Sequence, residues 1–277
     1  MANSAVNPLF KHFRQPSVYV KLPSRGKFWP ANSLDLPPTE EIAVYPMTVK
    51  DEVLIKTPDA LMNGSGVTDV IASCCPSIKD AWEMPAVDLD TILIAIRIAS
   101  YGPTMDIDTK CPHCGVENTH TVDLRILLDE IKTPSYDPLP IGDLVFYLKP
   151  QTFKNINSNN IIAYEQQKLI AALGDSDLTE EEKIAQFHQM FPKLTDLNIM
   201  ALVNCIDAIQ ANDDLVRDRD HIKEFVSNCD RMTYQRIKDQ IDQYIEQIKL
   251  QPVQAQCTEC TETYSTDLIF EQSNFFG

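Results

Sequence analysis

The sequence predicts an α+β protein. A mixed N-terminal body carries one half of a zinc-ribbon-like pair of knuckle hairpins, an all-helical insert follows, and a second knuckle returns to the body. Three observations lead there. Two Cys-x-x-Cys pairs, Cys111-Pro-His-Cys114 and Cys257-Thr-Glu-Cys260, bracket residues 115–256. Short β-branched runs and short helical patterns, broken by Pro23, Pro30, Pro37, Pro38, Pro46 and Pro76, fill the N-terminal part. From about residue 155 the apolar residues recur at helical spacing. The expected units are 1–150, the mixed body with the first knuckle; 151–250, the helical insert; and 251–277, the C-terminal knuckle hairpin and tail.

Ser17-Val-Tyr-Val-Lys-Leu22 reads as a strand, and Pro23-Ser-Arg-Gly26 as the turn after it. Thr48, with Asp51 three residues on, reads as a capping box opening a helix over Glu52 to Lys56. A second helix is expected over Val67 to Cys74, with Pro76 stopping it. In Val87 to Ser100, Leu89, Ile92, Leu93, Ile96 and Ala99 form a helical stripe, which Ile94 and Ile98 widen almost to the full circumference. Such a helix belongs in a core. Gly102-Pro103 ends it.

Met105 to Lys110 and Val116 to Leu124 read as strands flanking the first cysteine pair, and Leu144 to Leu148 as another strand. Helices are expected over Asn160 to Leu173, over Thr179 to Phe191 and from Thr195. The last of these carries Leu197, Met200, Ala201, Ile206 and Ile209 on one side. A shorter helix over Asp218 to Asn228 precedes a long one capped by Thr233, with Ile237, Ile241, Tyr244, Ile245 and Ile248 as its stripe.

Composition narrows the function. Forty acidic against 24 basic residues give a net charge of −16. Nucleic-acid binding needs clustered Lys and Arg to neutralise phosphates, so neither nucleic acid nor an anionic membrane surface is an expected partner. Met1 to Val20 lacks the unbroken apolar stretch of a secretory signal, and Leu89 to Ala99 is too short and too charged to span a bilayer. The eight cysteines are therefore read in a reducing compartment, where Cys-x-x-Cys means metal or redox chemistry.

The two pairs resemble each other locally. One continues to His120-Thr-Val-Asp-Leu124 and the other to Tyr264-Ser-Thr-Asp-Leu268. Four thiolates in two hairpin knuckles are the ligand set of a closed structural zinc site, so Cys111, Cys114, Cys257 and Cys260 are the expected ligands of one Zn2+ per chain. Two reduced pairs without metal, a redox pair, or His113 or His120 in place of one cysteine are the alternatives. Cys74, Cys75, Cys205 and Cys229 read as core residues. No nucleophile elbow, phosphate-binding glycine loop or His-Glu-x-x-His is present, so no catalytic residue is expected. Phe275 and Phe276 near the C-terminus are candidate anchors for a partner.

Four segments in order carry a resemblance. They are Tyr19-Val-Lys-Leu-Pro-Ser-Arg-Gly-Lys-Phe-Trp29, Pro46-Met-Thr-Val-Lys-Asp-Glu52, Thr57-Pro-Asp-Ala-Leu-Met-Asn-Gly64 and Val70-Ile-Ala-Ser-Cys74. Together they resemble the baseplate hub subunit and hub assembly proteins of T4-like contractile-tailed bacteriophages, over about residues 17 to 125. The first cysteine knuckle with its following strand is similar to members of that family as well. The resemblance implies a non-enzymatic structural subunit of the central hub. It would act in tail assembly beside other hub proteins and the tape-measure protein, in the virion and, during assembly, in the host cytoplasm. A transient assembly chaperone absent from the virion is the alternative. A zinc-ribbon nucleic-acid module is a further one, opposed by Glu117, Asp123, Glu259, Glu262 and Asp267 around the knuckles.

Overall fold

The computed structural model describes residues 7, 9, 12–57, 63–132, 134–174 and 195–266. The predicted helix over Thr179 to Phe191 and the aromatic pair Phe275 and Phe276 lie outside them.

Strand β1 (Val18–Lys21) pairs antiparallel with β2 (Glu41–Val44). Helix α1 (Val49–Ile55) opens with the expected capping box, Thr48 and Asp51 bonding each other's backbone N–H groups. Helix α2 (Ser65–Cys74) and a single 3-10 turn, Ala81–Glu83, lead into α3 (Ala86–Tyr101). Ile92, Ile94, Ala95 and Ile96 are all fully buried, so α3 is the axis of the first core, as its all-round apolar pattern demands. Gly102 ends it at φ +94°, a conformation glycine adopts without a Cβ penalty.

The first hairpin, β3 (Thr104–Lys110) with β4 (Glu117–Asp123), is in continuous register from Thr104↔Asp123 to Lys110↔Glu117. Asp123 then caps α4 (Leu124–Glu130), which buries Leu124 and Leu127 against α3 and its neighbours.

A second core forms around a four-stranded antiparallel sheet of order β5-β6-β7-β8. Strand β5 (Leu139–Ile141) turns through Gly142 into β6 (Leu144–Leu148), which holds the fully buried Phe146. Helix α5 (Phe153–Gly174) follows, and residues 195–204 form α6. The chain then returns as β7 (Ile206–Ala211) beside β6 and as β8 (Asp214–Val216).

This corrects the expectation of an all-helical insert. Ile206 and Ile209 are strand residues, not part of a helical stripe. Phe146 and Leu148 need a strand on β6's second side, and β7 supplies it, so a partner some 60 positions away decides the conformation. Asn212, at φ +54°, closes the two-residue turn between β7 and β8.

Helix α7 (Arg219–Asn228) begins where predicted, capped by Asp218. The cap of α8 (Arg231–Ile248) is Asp230 rather than Thr233. The Asp230 carboxylate accepts from the N–H groups of Met232 and Thr233, and the Thr233 hydroxyl donates to it at 2.7 Å. Ile222, Val226, Ile237 and Tyr244 join these helices to the sheet. The second hairpin, β9 (Val253–Gln256) with β10 (Thr263–Thr266), completes the described chain. No helix among the described residues is long and apolar enough to cross a membrane.

Candidate metal centre

Both hairpins end in the same backbone device. In the first, the Cys111 N–H donates to Val116 O at 2.9 Å, and the Gly115 N–H donates to Cys111 O at 2.9 Å. In the second, the Cys257 N–H donates to Glu262 O at 3.0 Å, and the Thr261 N–H to Cys257 O at 3.1 Å. The fifth residue of each knuckle is left-handed, Gly115 at φ +77° and Thr261 at φ +60°. Each knuckle thus carries two sulfurs on a tight turn, and the local likeness read from the sequence is a likeness of fold.

The hairpins meet face to face. The Sγ atoms of Cys111, Cys114, Cys257 and Cys260 lie within 4.8 Å of one another. Across the hairpins, Cys111 faces Cys260 at 3.7 Å and Cys114 faces Cys257 at 3.5 Å. Four thiolates about 2.3 Å from a tetrahedral ion stand about 3.8 Å apart, so donor set and spacing both fit a metal bound by four sulfurs. Cys111 and Cys257 are buried, while Cys114 is exposed. Backbone N–H groups of Cys260 and Glu259 directed at the Cys257 sulfur pull its pKa down to about 6, against the opposing effect of burial. The crowded sulfurs act the other way on their neighbours: the pKa of Cys114 is raised, and that of Cys260 is pushed up to about 12, so without a metal one thiolate is favoured and not four.

Neither His113 nor His120 belongs to the cluster. The His120 Nε2 is 3.0 Å from the Tyr264 hydroxyl, which also lies 2.6 Å from Thr109 Oγ1. Tyr264, on the second hairpin, is therefore clasped by two residues of the first. Cys74, Cys75 and Cys205 are buried elsewhere, and burial pushes the thiols of Cys74 and Cys205 up to about 11. They pack as expected.

Sequence reasoning missed Asn118. Its side chain is 4% exposed and touches both knuckles. Nδ2 donates to Val116 O at 3.0 Å and approaches Cys257 Sγ at 3.6 Å. Oδ1 accepts from both the backbone N–H and the hydroxyl of Thr258, each at 2.8 Å. An asparagine four residues past a Cys-x-x-Cys pair carries no signal of its own. Only the apposed second hairpin gives it partners.

Comparison with known proteins bears on the chain as a whole. The family model described as T4 bacteriophage base plate protein matches residues 16–277. No curated protein matches, and no solved structure does.

Proposed function

Because the chain belongs to the T4 bacteriophage base plate protein family, matched from residue 16 to residue 277, we propose that it is a non-enzymatic structural subunit of the central hub of a contractile-tail baseplate. Its work is protein–protein contact during tail assembly, as part of a hetero-complex or oligomer in a symmetric particle. Its neighbours are other hub proteins and the tape-measure protein. It acts in the virion tail, after assembly in the host cytoplasm.

In this reading Cys111, Cys114, Cys257 and Cys260 hold one structural Zn2+ per chain. The observation that carries it is the meeting of four sulfurs from hairpins at opposite ends of residues 115–256. A site closed by four sulfurs has no position for water or substrate, so the metal holds the fold and does no chemistry. The units in this reading are a body over 1–150, an insert over 151–250 and a C-terminal segment over 251–277 pinned back to the body, with β5 and β6 at the end of the first pairing into the sheet of the second.

Two measurements test the proposal. Mass spectrometry of purified virions should find the chain in stoichiometric amount. Its presence in lysates but absence from particles would replace the structural subunit with a transient assembly factor. X-ray absorption at the zinc edge should show four sulfur neighbours at about 2.3 Å. An oxygen neighbour would reopen the coordination sphere and with it the case for catalysis.

A further inference from the structure

Among the described residues, strand β1 has β2 on one side and no strand on the other. Among the described residues no backbone group of Val18–Lys21 bonds to any segment except β2. In an antiparallel ladder, alternate N–H and C=O groups point away from the partner, so β1 presents an open row of donors and acceptors. A groove of about 360 Å³ runs along it. Its near wall is the unbroken run Tyr19, Val20, Lys21, Leu22 and Pro23. One face of a strand supplies only alternate residues, so a consecutive run means that the groove follows the strand's edge. Its far wall is the end of α4, with Leu128, Asp129 and Ile131.

Charge gives the groove a chemistry. Lys21 and Arg25 stand at the β1 end, both exposed, and neither forms a salt bridge. Arg25 is held at φ +51° in the turn after β1, a conformation uncommon for a residue with a side chain. Among the described residues that line the groove, these two cations stand against one acid, Asp129, a net positive lining in a chain of net charge −16.

We infer that this groove is a docking site for an extended acidic segment of a partner protein. The segment adds to β1 as a third strand and sets a carboxylate over Lys21 and Arg25. Strand addition draws affinity from main-chain hydrogen bonds and specificity from the side-chain positions beside them. The open edge supplies the first, and the two cations supply the second.

The test places a photo-crosslinking residue at the exposed edge, Tyr19→p-benzoylphenylalanine, in the full chain. Irradiation is done in infected cells, where the chain meets its partners whether or not it remains in the finished tail. Failure of this inference is thereby separated from failure of the virion assay. The expected result is one major crosslink, sequenced to an acidic segment of another phage protein. The charge-reversed K21E/R25E chain should lower its yield at least tenfold. A crosslink to a second copy of this chain, to a basic segment, or to nothing overturns the inference. So does a yield indifferent to the charge reversal. In the purified chain, amide exchange adds a second check: alternate amides of Val18–Lys21 should exchange rapidly, and uniform protection along the strand would remove the open edge.

Discussion

The sulfurs of Cys114 and Cys257 lie 3.5 Å apart although 143 positions separate them in the chain. Bringing such distant segments together is less unfavourable than it looks, since each doubling of a loop adds only about 0.6 kcal/mol. The contacts between the hairpins that need no metal are few: Tyr264 to Thr109 and His120, and Asn118 to Thr258. At about 1 kcal/mol each they hold the hairpins in register rather than drive closure. The proposed zinc would contribute on the order of 10 kcal/mol and dominate.

Cys257→Ser should therefore separate the two ends. Zinc content is expected to fall well below one per chain and the melting temperature to drop. Trypsin should cut between α8 and β9, where Leu250 and Val253 pack on the first core. Retention of stoichiometric zinc with unchanged melting would sever the long-range link. Metal analysis and a thermal scan on the same sample decide it.

Asn118→Ala should weaken zinc about 10- to 100-fold, the usual effect of removing a group that orients a ligand. Among the described residues, its amide is the one side chain hydrogen-bonded to the Cys257 sulfur and the Thr258 backbone together. Asn118→Asp should be worse, because an oxygen would then face Val116 O and the thiolate in place of the donating nitrogen. Competition against a chelator of known affinity measures both variants. An alanine variant with native affinity would reduce Asn118 to a packing residue.

Tyr264→Phe keeps the ring against the small core of Cys111, Ala255 and Cys257 and removes only the hydroxyl. Thr109 keeps a second, longer contact to Asn118 O at 3.4 Å, whereas among the described residues Tyr264 is the hydrogen-bond partner of the His120 ring. The expected loss is about 1–2 kcal/mol, read as a lower urea midpoint at saturating zinc. Zinc stoichiometry should stay at one per chain, which distinguishes this variant from Cys257→Ser.

These variants separate what the sequence shows from what it hides. The cysteine pairs were legible because four thiols at two-residue gaps mean the same thing in any fold. Helix α3 was legible because an apolar surface on every side admits only burial. Helix α7 was legible because Asp218 is a local cap. Strand β7 was not, because Ile206, Ala208 and Ile209 fit a helix or a strand and only the pairing with β6 decides. Two-residue turns at Gly142-Asp143 and Asn212-Asp213 were its available signals, each between apolar runs and each opening on a left-handed residue. Asn118 and the edge of β1 gain their meaning only from segments distant in sequence.

Asp88 supplies a pH signature. It is fully buried in the first turn of α3 and accepts from the Ser24 N–H at 2.8 Å, the Ser24 hydroxyl at 2.5 Å and the Trp29 indole at 2.8 Å. Burial outweighs these donors and raises its pKa from 3.8 to about 6. The native carboxyl thus holds its proton more tightly than the unfolded one. Its stabilising contribution is complete below pH 3.8 and is lost as pH rises through 6. Asp88→Asn removes the titration. The stability of the native chain relative to the variant should fall between about pH 4 and pH 6, by on the order of 3 kcal/mol. Urea midpoints at four pH values across that window measure the difference. A flat difference would show that Asp88 titrates alike in both states.

The two knuckles differ at one informative place. Gly115 and Thr261 occupy equivalent left-handed positions, at φ +77° and +60°. Each donates its N–H back to the first cysteine carbonyl of its pair. A β-branched residue there is strained by roughly 1–2 kcal/mol, whereas glycine is not. Thr261→Gly keeps the N–H and relieves the strain, while glycine's greater freedom in the unfolded chain offsets part of the gain. The expected net effect is a stabilisation of about 0.5–1 kcal/mol. Gly115→Thr should act in the opposite direction. A Cβ at Gly115 would meet no atom nearer than Lys110 Cε at 3.9 Å, so its effect comes from backbone conformation and not from a clash. Melting temperatures at saturating zinc should rank Thr261→Gly above the native chain and Gly115→Thr below it. Equal melting of all three would mean that the metal, once bound, sets the knuckle backbone regardless of residue type.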